Sequence, residues 1–114
     1  MLNLVVIKTK EPNELVKTYQ EIGLEFEYHR HGKGPMHYAN ETNGLTLEIY
    51  PLPKSKTEAD NTLRLGFKVK ELDLKVKKLE NLGLKVISPP TQKQWGYSAV
   101  ITDQDGRKIE LTQE

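Results

Sequence analysis

Residues 43–49, NGLTLEI, and residues 105–111, DGRKIEL, decide how this chain is read. Each is a Gly-containing turn signal followed by a strand that alternates polar and apolar side chains, and the second lies 62 positions after the first. Asn-Gly and Asp-Gly favour the tight turns that join antiparallel strands, because glycine takes positive φ without steric cost. Further from each turn the correspondence continues. Ile22-Gly23-Leu24 is matched by Leu82-Gly83-Leu84, and Ile7-Lys8-Thr9-Lys10-Glu11 by Phe67-Lys68-Val69-Lys70-Glu71, both at an offset of 60. A two-residue insertion in one loop accounts for the change of offset. Three matches in register indicate an internal duplication.

Local pattern supplies the elements of each copy. Leu2–Thr9 is rich in β-branched residues and reads as a strand. Pro12 suits the first turn of a helix, Leu15, Tyr19 and Ile22 share one helical face, and Gly23 is a stop. Strands follow at Leu24–His31, at Met36–Ala39 after the turn Gly32-Lys33-Gly34-Pro35, and at Leu45–Tyr50. The segment 51–61, PLPKSKTEADN, has no apolar periodicity and reads as a connector. Then the order begins again: a strand Thr62–Lys70, a helix with Val76, Leu79 and Leu82 on one face and Gly83 as its stop, and a strand Leu84–Ile87 cut short by Pro89-Pro90. Trp95–Thr102 and Lys108–Thr112 close the chain. The expected architecture is α+β, one domain of two tandem βαβββ modules at about 1–52 and 62–114.

Bulk properties exclude several classes of function. A chain of 114 residues, 36% hydrophobic and 29% charged, suits one ordinary domain, and its mean hydropathy of −0.64 reflects surface lysine and glutamate. Seventeen basic against sixteen acidic residues leave a charge of +1, so nothing electrostatic favours nucleic acid or an anionic membrane. With no cysteine, disulfides, thiolate metal sites and cysteine nucleophiles are excluded. Met1–Ile7 is apolar but short and lacks a basic leader, so it is expected to be a strand in a cytoplasmic protein. No phosphate loop, nucleophile elbow or zinc-protease motif is present.

Four segments carry a resemblance: Glu11 through Gly23 (EPNELVKTYQEIG), Leu47-Glu48-Ile49, Trp95-Gly96, and Asp103 through Leu111 (DQDGRKIEL). Together with the two βαβββ units, they resemble the vicinal oxygen chelate superfamily, which includes glyoxalase I, bleomycin-resistance proteins, extradiol dioxygenases and fosfomycin-resistance enzymes. The last segment departs from the usual DPDG only at Gln104. The resemblance implies a U-shaped, partly closed mixed-sheet cup with helices packed outside, and a homodimer. It also implies four metal-ligand positions, on the first and last strand of each module, which fall here on Leu4, Glu48, Arg64 and Glu110.

Two of those four residues cannot serve. Leu4 has no donor atom, and Arg64 places a permanent cation where a donor is required. No metal and no cofactor are therefore expected. Alternation puts Thr46, Glu48 and Tyr50 on one strand face, and likewise Lys108, Glu110 and Thr112. Arg64 is expected to pair with Glu48, Glu110 or both, either as part of a ligand site or as a purely structural ion pair. His29 and His31 share one strand face and His37 lies on the next strand. That grouping is the one remaining route to a metal site, and it also arises trivially in a solvent-facing hairpin. Among the aromatics, Trp95 is the preferred ligand contact, whereas Phe26 and Tyr19 suit packing. The expected ligand contacts are Glu48, Arg64, Glu110, Tyr50, Trp95, Tyr38 and His37. The favoured function is binding of a small organic molecule. An alternative is a metal-dependent lyase, isomerase or dioxygenase using Glu48, Glu110 and a histidine, and a third is a scaffold with a filled cup.

Overall fold

A computed structural model describes residues 1–114, with ten elements in the order the repeat requires. The first copy is β1 (Leu4–Thr9), α1 (Pro12–Ile22), β2 (Glu27–His29), β3 (His37–Thr42) and β4 (Leu45–Pro51). The second is β5 (Leu65–Val69), α2 (Leu72–Asn81), β6 (Val86–Lys93), β7 (Gly96–Thr102) and β8 (Lys108–Gln113). Two compact units result, Met1–Gln20 with Leu24–Asp60, and Glu21–Gly23 with Asn61–Glu114. No helix is long and apolar enough to cross a membrane.

Each unit holds one four-stranded mixed sheet, ordered β1-β4-β3-β2 in the first and β5-β8-β7-β6 in the second. The first strand of each copy runs parallel to the last, and all other neighbours are antiparallel. The duplication holds to single residues. Val6 stands opposite Glu48, and Gly66 opposite Glu110, so the offsets of 60 and 62 are those of paired strands.

Alternation sorts each sheet into two faces. In the first unit Ile7, Leu47 and Ile49 are buried on one face, while Leu4, Val6, Thr46, Glu48 and Tyr50 take the other. The helix side is marked by a tyrosine in each copy. Tyr38 of β3 donates its hydroxyl hydrogen to Asn13 Oδ1 in the first turn of α1, and Tyr97 of β7 donates to Asp73 Oδ1 of α2, both at 2.7 Å. Leu15, Val16, Tyr19 and Ile22 of α1 and Leu72, Val76 and Leu79 of α2 are buried. Each large side chain among them contributes roughly 1.5–3 kcal/mol of transfer free energy.

Three expectations need correction. Leu82 does not continue the inner face of α2; it is the C-cap residue, 48% exposed, and Leu72 fills the inner position instead. Pro89-Pro90 does not end β6, which runs from Val86 to Lys93. It is an edge strand, where a missing N–H need not face a partner, and its register against β7 shifts between Ser88 and Thr91, around the two prolines. Lastly, Asp105-Gly106 is not a two-residue hairpin turn like Asn43-Gly44. It lies inside a longer connection, 103–107, built around Arg107.

That arginine is 2% exposed. Its Nη1 donates to Asp103 Oδ2 at 3.1 Å and to Asp105 Oδ2 at 2.9 Å, while Asp103 Oδ1 accepts the backbone N–H groups of Asp105 and Arg107. Burial alone would lower the guanidinium pKa, but the Asp103 and Asp105 carboxylates outweigh it and hold the pKa above its ordinary value.

Candidate functional site

The polar face of the first sheet gathers three imidazoles around one carboxylate. Asn43-Gly44 is a tight turn with φ of 53° and 84°, so β3 and β4 pair symmetrically about it and Ala39 falls opposite Glu48. His37, two residues before Ala39, shares its face and stands opposite His29 of β2. Ala39 contributes only a methyl group between them. His31 lies beyond the end of β2, in the loop, and turns back so that its Nε2 is 3.8 Å from Glu48 Oε2. The ring centres form a nearly equilateral triangle: 4.7 Å between His29 and His37, and 5.0 Å on each of the other two sides.

His37 is the buried member, fully shielded from solvent. Its ring stacks on Tyr50 with centres 4.0 Å apart and planes 11° from parallel. Its Nδ1 lies 3.1 Å from the Pro35 carbonyl oxygen, which can only accept, so Nδ1 carries a proton. The opposite nitrogen, Nε2, is 3.3 Å from Glu48 Oε2, within ion-pairing distance if the ring is charged but outside hydrogen-bond geometry. Buried Nε2 of His37 and buried Nε2 of His29 thus both lack a hydrogen-bond partner. One donor atom from each of His29, His31, His37 and Glu48 lies within 4.8 Å of every other. Burial, and then the Glu48 charge, push the Tyr50 phenol above its ordinary pKa, which keeps that ring neutral.

Beside this cluster is an open depression of about 540 Å³, whose lining includes Leu4, Glu27, His29, His31, Glu41 and Glu48. No lysine or arginine lines it.

In the second unit Arg64 stands just before β5 and donates from Nη2 to Glu110 Oε1 at 3.2 Å. Gly66 stands opposite Glu110 in the strand register. Of the two partners expected for Arg64, Glu110 is thus engaged. The four positions at which the superfamily ordinarily holds a metal do not fit one here. Leu4 brings no donor beside Glu48 in the first unit, and in the second Glu110 is held by a fixed cation.

Glu48, Tyr50 and His37 are therefore brought together, as are Arg64 and Glu110. Tyr38 is not with the first group: it lies on the helix side of its sheet, against Tyr28 and Phe26. Trp95 occupies the turn between β6 and β7, 60% exposed, with Lys93 Nζ 5.6 Å from its ring centre. It lies five residues along β7 from Val100, the neighbour of Glu110, or roughly 16 Å of strand. The sequence reading grouped the three histidines and, in its alternative, put one unspecified histidine with Glu48 and Glu110, but did not gather all three around Glu48. The signal was available, because a two-residue turn at Asn43-Gly44 dictates which residues of β3 and β4 are opposed. Burial of Arg107 had no comparable signal.

The model of the glyoxalase/bleomycin resistance protein/dioxygenase superfamily matches residues 1–111. The chain belongs to that superfamily. No curated protein sequence matches it as a relative. Similar solved structures of the superfamily's fold include TnmS3, an antibiotic binding protein from Streptomyces sp. CB03234, at 19% identity and a TM-score of 0.75, covering 99% of this chain and 94% of that one. A glyoxalase/bleomycin resistance protein/dioxygenase family enzyme from Burkholderia phytofirmans PsJN is 17% identical, with a TM-score of 0.75 and coverage of 97% and 96%. A glyoxalase-related enzyme from Fulvimarina pelagi is 13% identical, with a TM-score of 0.77 and coverage of 100% and 88%. At such identities the likeness concerns the fold.

Proposed function

We propose that this superfamily member binds a small organic molecule without the four-residue metal set usual to its relatives. The observation that carries this reading is the Arg64–Glu110 ion pair, which occupies the second unit's half of that set. Leu4 disables the first unit's half by having nothing to donate. The depression beside Glu48 supplies room for a ligand, and its lining favours one chemical class. Glu27, Glu41 and Glu48 contribute carboxylates with no lysine or arginine to offset them, so a ligand with a positive charge or several hydrogen-bond donors is preferred. The description of TnmS3 as an antibiotic binding protein makes antibiotics a sensible part of any panel. Homodimerisation is proposed from the superfamily resemblance alone, and light scattering of the purified protein tests it.

Thermal-shift screening against cationic and neutral metabolites and antibiotics, with EDTA present throughout, tests the binding reading. At a hundredfold excess over Kd a ligand specific for the folded state adds about 2.7 kcal/mol, a rise in Tm on the order of 10 °C. A saturable rise that Glu48→Gln abolishes is expected. A broad panel of such compounds that leaves Tm unchanged would count against the proposal.

A further inference from the structure

We infer that the first unit holds one divalent transition-metal ion between His29, His31, His37 and Glu48, a site that shares only Glu48 with the set its superfamily ordinarily uses. This goes beyond the binding reading and needs no organic ligand.

The donor types suit such an ion. Three imidazole nitrogens and one carboxylate oxygen are a borderline-soft set, matched to zinc and cobalt rather than to calcium or magnesium. The distances agree. Bonds of about 2.0–2.1 Å place the donors of a tetrahedral ion about 3.3–3.4 Å apart. His37 Nε2 and Glu48 Oε2 already stand at 3.3 Å, and His31 Nε2 is 3.8 Å from the same oxygen. Three imidazoles sharing one such ion have ring centres about 5 Å apart, and the triangle here has sides of 4.7, 5.0 and 5.0 Å.

Proton placement gives independent support. Metal-bound histidines ordinarily donate their second ring N–H to a carbonyl or carboxylate, which fixes the tautomer and aims the lone pair. His37 makes that bond to Pro35, and Tyr50 holds the plane of its ring. The consequence is a buried nitrogen lone pair facing a carboxylate oxygen, with buried His29 Nε2 also unpartnered. Two lone pairs at that distance repel unless a positive charge lies between them. A proton on His37 Nε2 would be one remedy, but the contact lacks the geometry of a hydrogen bond. A cation bonded to all four donors satisfies the orphaned His37 Nε2 and separates it from the Glu48 oxygen. His31, with a 71% exposed side chain, is the donor able to move, giving the ion an entry path from the depression.

Titration with Co2+ alone tests this, using EDTA-stripped protein without a polyhistidine tag. One equivalent is expected to bind, with the visible absorption of a tetrahedral ion that Zn2+ then abolishes. Glu48→Gln and His29→Gln are each expected to weaken binding by at least about tenfold, and His31→Gln by less, while Glu110→Gln leaves it unchanged. His37 is fully buried, so its replacement risks the fold, and His29 and Glu48 carry the test. Absence of stoichiometric Co2+, or equal affinity in the Glu48→Gln protein, overturns the inference. If an organic ligand nevertheless binds in EDTA, the binding reading stands while the metal site falls; Co2+ binding without any organic ligand has the opposite meaning.

Discussion

The two units share a topology and a strand register, yet their polar faces carry different chemistry. Beside Glu48 the first unit presents His37, with His29 across the next strand pair. At the matching places beside Glu110 the second unit presents Ser98, with Thr91 across from it. Where Val6 stands opposite Glu48, Gly66 stands opposite Glu110, whose carboxylate accepts from Arg64. One face is thus a set of nitrogen donors around an acid, and the other an acid already neutralised by a cation. The strand-joining segments differ too: a tight turn at Asn43-Gly44 against a connection organised by buried Arg107. Duplication preserved the backbone because paired strands must keep register. It left the polar face free to diverge, since few of those side chains are needed to pack the core.

The largest effect should come from the turn comparison. Arg107→Met leaves Asp103 buried without its cation, an expected loss of about 3–5 kcal/mol in urea unfolding. The corresponding insult to the first unit, Asn43→Ala, only strains a residue at φ 53° and should cost about 1–2 kcal/mol. Similar losses from both would mean that the two connections are not built differently.

Next comes the donor set. His29→Thr gives the first unit the residue that the second carries at the matching place. Zn2+ at a hundredfold excess over Kd should stabilise the parent by about 2.7 kcal/mol, and EDTA should remove that gain. The variant, with binding weakened at least about tenfold, should gain no more than about half as much at the same Zn2+ concentration. Retention of the full Zn2+ effect would place the ion elsewhere.

A smaller effect belongs to Arg64. Its pair with Glu110 is partly exposed, so Arg64→Met should change stability by no more than about 1 kcal/mol, and less as salt rises. A loss of several kcal/mol would give the pair a structural weight that its exposure argues against.

The smallest is confined to alkaline solution. The hydrogen bond to Asp73 is the main cause raising the Tyr97 pKa above its ordinary value. The folded state therefore holds that proton more tightly than the unfolded state. Its contribution is complete below the unfolded pKa near 10 and is lost as pH rises through the folded value. Tyr97→Phe should flatten that part of the stability–pH curve, whereas Tyr38→Phe gives the first-unit counterpart for comparison. An unchanged slope in the Tyr97 variant would remove the hydrogen bond as its cause.

The repeat offsets, the Gly-stopped helices and the alternation of Thr46, Glu48 and Tyr50 made most of the fold legible in the sequence. The last two are local rules, acting over two to four neighbouring residues. The members of the candidate site were legible in the same way, since Glu48, Tyr50 and His37 were singled out by face and type and His29, His31 and His37 were grouped as one route to a metal; their assembly around Glu48 was not. Periodicity states which face a residue takes and not which distant residue stands beside it. Edge-strand tolerance of Pro89-Pro90 depended on a missing neighbour, and the depth of Arg107 on packing around its connection.

The chain's own order of residues determined two βαβββ copies, their polar and apolar faces, and the loss of the ordinary metal positions at Leu4 and Arg64. Only the folded molecule decided that His31 turns back beyond β2, that Arg64 pairs with Glu110, and that buried His37 Nε2 faces Glu48 at 3.3 Å without a hydrogen bond. The reason is physical: backbone pattern is set by short-range sterics and hydrogen bonding, whereas a site is assembled by register and loop closure between segments far apart in the chain.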